Sequence, residues 1–112
     1  MATTAPASLQ PTTFPKGGVE TALIDELIHV AEAEAMVRGI SLPGDRPGRM
    51  AASVPMDSLT VVATLVAVEK VVGFELKESM VRTGGYISIQ AAVDHLVPRI
   101  QIAWDRKKGR KP

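Results

Sequence analysis

The chain has 112 residues, with 13 Lys and Arg against 12 Asp and Glu. A chain of this length forms one domain with a modest core, and a composition 46% apolar and 22% charged belongs to a folded protein, not a disordered one. With no cysteine and only two histidines, disulfides, thiolate metal sites, a cysteine nucleophile and a multi-histidine metal centre are excluded.

Residues 1–18, MATTAPASLQPTTFPKGG, have no apolar period and are rich in Ala, Thr, Pro and Gly, so this segment is expected to be disordered. A first helix is predicted over residues 19–37, where Leu23, Ile24, Leu27, Ile28 and Ala31 recur at helical spacing. Glu20 would sit near its positive end and Gly39 would stop it. Residues 39–56 read as a connection: Pro43, Pro47 and Pro55 with Gly44 and Gly48 forbid a long helix, and its length exceeds that of an ordinary loop, which points to function. Ile40, Leu42, Met50 and Val54 are its candidate anchors to the core. Gly44, Arg46, Gly48 and Arg49 match no phosphate-loop spacing.

A second helix is predicted from Asp57 or Ser58 to about Val72, with Gly73 as its stop. Its many β-branched residues favour a strand by propensity, but a run near sixteen residues is too long for one. It has two apolar stripes, Val61, Leu65, Val68 and Val72 on one side and Leu59, Val62 and Val66 on another, so it either packs centrally or offers one face to a partner. A short turn is expected over residues 79–82, ended by Gly84-Gly85. The final helix begins at Ser88, a good N-cap, with Ile89, Ala92, Val93 and Leu96 inward; Pro98 is expected to end or kink it. Residues 104–112, which hold five basic residues and one Asp, read as a solvated basic tail. Nucleic-acid binding would rest on that tail alone. His29 and His95 read as ordinary surface or boundary histidines. No run is long enough to span a membrane, and the first residues lack signal-peptide and transit-peptide character, so a cytoplasmic location without membrane contact is expected.

Asp57-Ser58-Leu59 opens a helix after a long loop. Asp-Ser is an ordinary helix start, yet a helix N-terminus is also where free N–H groups and the dipole favour an attached phosphate. Read onward through MDSLTVVATLVAVEKVVGFEL and SIQAAVDHL, the chain resembles the acyl carrier protein family. The resemblance covers residues 57–96 well and the first helix in general character; Glu69 and Glu75-Leu76 fall at matching positions. It implies an all-α, up-and-down four-helix carrier fold over residues 19–103, with a long loop between helices one and two. It implies a covalent shuttle and not an enzyme. Ser58 would be the attachment serine, loaded with 4′-phosphopantetheine from coenzyme A by a separate transferase whose metal-phosphate site Asp57 would help position. The arm's thiol would hold an acyl or aminoacyl cargo as a thioester, passed among loading and transferring enzymes. Leu59, Val62, Val66 and Met80 would shape the partner face or a cargo groove.

The chain also departs from the family. Val54-Pro55-Met56 precedes Asp57-Ser58 where the family carries a glycine, and the acidic docking positions of helix two read Thr60, Ala63 and Thr64. These departures mark a specialised member with its own partners. They also leave open an unmodified carrier-like module that uses the apolar face of helix two to hold a protein.

Overall fold

A computed structural model describes residues 13–109. It is all-α, with no strand among those residues. Four α-helices follow one another: α1 (Lys16–Arg38), α2 (Arg46–Ala51), α3 (Ser58–Val72) and α4 (Ile89–Trp104). A 3-10 turn, Glu78–Met80, lies between α3 and α4, and a π-helical turn, Asp105–Gly109, extends α4. Helix α1 packs against both α3 and α4, and α2 rests on α4.

Helix α1 starts three residues before the expected position. Gly17 and Gly18 do not break it, and Gly18 brings its first turn against α3: a Cβ there would lie 3.2 Å from Val71 Cγ1. Glu20 therefore falls beyond the first turn, which contains no acid. Phe14, placed in the expected disordered segment, is half-buried with its ring 6.1 Å from that of Trp104. The rest of that expectation, residues 1–12, lies outside the described residues. Gly39 closes α1 in the left-handed region, and Ile40 N–H donates to Ala35 O at 2.8 Å, the bond that ends a Schellman turn.

The long connection contains the short helix α2, capped by Asp45, whose carboxylate accepts from Gly48 N at 2.8 Å. Pro47 fits because it stands in the first turn, where no intrahelical N–H bond is lost. Two ion pairs clip the segment to α1: Arg46–Asp25 at 3.1 Å and Arg49–Glu32 at 2.5 Å. The arginines of the glycine-rich stretch are thus engaged in holding the loop down. Leu42 and Met50 pack on the core and Val54 lies within it.

Helix α3 resolves the conflict between propensity and length in favour of the helix. Asp57 caps it at one end and Gly73, at φ +87°, closes it at the other. Val61, Leu65, Val68 and Val72 enter the core as expected. Thr64 does not belong to a docking face: it is 3% exposed, and its hydroxyl donates to Val61 O at 2.7 Å. That back-bond lets a threonine stand inside, with its methyl among apolar neighbours.

Helix α4 begins where expected, with Ser88 Oγ accepting from Ala91 N at 3.0 Å. Pro98 does not end it. The exposed proline forgoes one bond, while Ile100 and Trp104 beyond it are buried at helical spacing, and their burial outweighs that loss. Trp104 is accordingly core and not tail: it is 3% exposed, and its ring meets those of Phe14 and Phe74.

Candidate functional site

Ser58 is the first helical residue of α3, and the chain ahead of it is fixed by backbone pairing. Met56 and Tyr86 form an antiparallel bridge, Met56 N to Tyr86 O at 2.8 Å and Tyr86 N to Met56 O at 2.9 Å. Val54 N adds a bond to Ile87 O at 2.8 Å. Gly85 makes this approach possible. It lies at φ +84°, and a Cβ on it would stand 2.0 Å from Met56 O and 2.8 Å from Asp57 Cα. The Gly84-Gly85 pair, read in the sequence only as a breaker, seats the start of α3.

Asp57 takes the capping duty. Its carboxylate accepts from Thr60 N at 2.8 Å, and hydrogen bonds from the Thr60 backbone, the Thr60 side chain and the Leu59 backbone hold its pKa below the ordinary aspartate value. Ser58 is therefore released from capping. It is half-exposed, and its hydroxyl makes no hydrogen bond among the described residues. Leu59 is 80% exposed and Val66 56%, while Val62 is half-buried against the core. The outer stripe of α3 is thus open at its two ends.

Met80 sits elsewhere. It is half-buried on the 3-10 turn and lines a groove with Phe74 and Leu76, near the far end of α3 from Ser58. Val66 borders a separate shallow depression that meets the groove at Phe74 and Glu75. The expected partner residues therefore fall on two surfaces. Glu69, matched to a family position, has a structural task here: its Oε2 accepts from Leu76 N at 2.9 Å and ties the following loop to the end of α3.

A polar cluster that the sequence reading missed braces the bridge. Tyr86 is buried, and its hydroxyl accepts from Arg82 N at 2.9 Å and meets His95 Nδ1 at 2.7 Å. Arg99 Nε donates to His95 Nε2 at 3.0 Å. An arginine only donates, so Nε2 accepts and the neutral ring carries its proton on Nδ1, which donates to Tyr86. The Arg82 guanidinium stands 5.0 Å from the Tyr86 ring centroid. Nothing in the sequence announces this cluster, because Tyr86 and His95 belong to different elements. His29, by contrast, is exposed, 3.8 Å from Glu32.

Burial first, then the positive charges of Arg99 and Arg82, hold the pKa of His95 below its ordinary value. The unfolded chain consequently takes up this proton at a higher pH than the native protein. The stabilisation is fully present above about pH 6.5, the unfolded value, and is lost as pH falls from there through the native value. The thermal midpoint is expected to drop over that window, with a shallower slope in His95→Gln. Equal slopes in the two proteins would show that His95 does not titrate against folding.

Among the described residues no group of His, Asp or Glu is placed to hold a metal ion, and no helix is long and apolar enough to cross a membrane. No protein-family model matches the chain, and neither a curated protein nor a solved structure matches it.

Proposed function

We propose that this chain is a specialised carrier protein of the acyl-carrier type, with a 4′-phosphopantetheine arm attached through Ser58. One observation carries the reading: Ser58 opens α3 half-exposed, with an unengaged hydroxyl, beside an Asp57 that already satisfies the cap. The Asp57-Ser58-Leu59 run and the pattern through residue 96 supply the family context. The residues fit the group. The hydroxyl is accessible, and the helix N-terminus favours the phosphodiester's negative charge. When attached, the arm would supply a thiol that the cysteine-free chain lacks, to hold an acyl or aminoacyl group as a thioester. In this reading the helices take the carrier arrangement, the protein is a substrate for other enzymes, and Leu59 and Val66 meet them through apolar contact rather than charge.

Exposure of Leu59 and Val66 also favours a second reading, an unmodified module that holds a protein on the same face of α3. Intact mass separates the two. The protein is incubated with coenzyme A, magnesium and a promiscuous phosphopantetheinyl transferase, with Ser58→Ala alongside. The expected result is a gain of one phosphopantetheine unit, absent from the variant. No gain with several transferases would leave the unmodified module as the better reading.

A further inference from the structure

The C-terminal part of α4 and the segment after α3 flank an open groove of about 480 Å3. That volume is within the range of small-ligand sites, roughly 300–1,000 Å3. Its apolar lining is Phe74, Leu76, Met80 and Ile102, the last 52% exposed. Four cations also line it: Lys77, Arg99, Arg106 and Lys107. Glu75 is the single carboxylate among its lining residues.

The pairing pattern of the molecule makes this concentration informative. Arg38, Arg46 and Arg49 are each matched to a carboxylate, whereas none of the four groove cations forms an ion pair among the described residues. Lys107 Nζ is instead held 5.9 Å from the Phe74 ring centroid, over the apolar lining. Four cations gathered around one carboxylate leave an excess of positive charge that repels itself, and an anion drawn among them relieves that repulsion.

The geometry points to a non-covalent binding site for a single-chain anionic amphiphile, an alkyl carboxylate of fatty-acid type. The alkyl chain would lie along Phe74, Leu76, Met80 and Ile102, and the carboxylate would meet Arg99, Arg106, Lys77 or Lys107. A groove of this volume fits one such chain, and its apolar lining would be wasted on an acidic peptide. The site is independent of Ser58. Ser58 and the groove flank opposite ends of α3, a helix of 15 residues and about 22 Å.

Trp104, the one tryptophan, reports on the groove because its ring centroid lies 6.4 Å from that of Phe74. Unmodified full-length protein is titrated with monomeric tetradecanoate while tryptophan fluorescence is read, and far-UV circular dichroism confirms that the fold persists. The expected result is saturable one-to-one binding, weakened at least about tenfold in the double variant Arg106→Glu, Lys107→Glu, the scale of losing a hydrogen bond to a charged group. Ile102→Ser, at an exposed position, is expected to weaken binding through the apolar lining. Ser58→Ala is expected to bind as the parent does, so failure here and failure of the carrier reading are distinguishable. Dodecyltrimethylammonium is expected not to bind. No saturable signal with tetradecanoate, unchanged affinity in the charge-reversed variant, or binding only to poly-glutamate or to anionic phosphatidylglycerol vesicles would overturn the proposal.

Discussion

Gly85→Ala is expected to be the most damaging single-methyl change in the protein. The new Cβ meets Met56 O at 2.0 Å and the Asp57 backbone at 2.8 Å, and these are main-chain atoms that no rotamer change can move aside. The residue must also hold φ +84°, which alone costs a non-glycine residue about 1 kcal/mol or more. Relief requires breaking the Met56–Tyr86 bridge. A loss of about 3 kcal/mol or more in urea unfolding is expected, or failure to accumulate folded protein. Gly84→Ala is the control: φ there is +91°, but no atom lies within 4 Å of the added carbon. Its cost should be the backbone term alone, so equal losses in the two variants would refute the close approach at Gly85. Any Gly85→Ala protein that does fold should also carry a displaced α3 start, and in the proposed carrier reading loading of Ser58 by a phosphopantetheinyl transferase should slow.

Trp104→Ala is expected to remove about 3–5 kcal/mol, the usual cost of emptying a large aromatic site in a core. A domain of this size has about 5–15 kcal/mol in all, so the variant should stand close to unfolding at room temperature. Trp104 closes the end of the core with Phe14 and Phe74, and its loss uncouples the chain ahead of α1 from the end of α4. Near-UV circular dichroism and a urea midpoint would measure it. A loss under 1 kcal/mol would mean that the three rings do not act together. Truncation after residue 103, as a tail boundary there would invite, should destabilise as severely as the point change.

The sequence made the helices legible where apolar period and caps agreed. Asp57, Gly73 and Ser88 each stand at the end of a periodic run, and each caps the helix it was expected to cap. The inner stripe of α3 was visible for the same reason. Misreadings arose where a local rule met a tertiary contact. Gly17-Gly18 falls in the segment expected to be disordered, yet Gly18 lies in the first turn of α1 close against Val71. Pro98 reads as an end or a kink, and of the two the end is ruled out, because Ile100 and Trp104 hold the helix beyond it. Thr64 reads as surface because a threonine's back-bond to Val61 is invisible in composition. At the candidate site, the placement of Ser58 at a helix start was readable from three residues. The bridge, the Gly85 contact and the Tyr86–His95–Arg99 chain were not, since they join segments about 30 residues apart or cross between a loop and a helix face.

The unpaired cations at the end of α4 have a consequence even with nothing bound. Helix α1 displays Asp25, Glu26, Glu32 and Glu34, partly neutralised by arginines, while Arg99, Arg106 and Lys107 stand unneutralised on another element. Almost zero net charge thus conceals a local excess of positive charge around the groove. Such a molecule turns in the field of an approaching charged body before it touches it, and meets an anionic one with the α4 end leading. The torque reaches only about a Debye length, near 10 Å at 0.1 M salt. Added salt would therefore slow capture of an anionic partner while leaving the folded protein itself little changed.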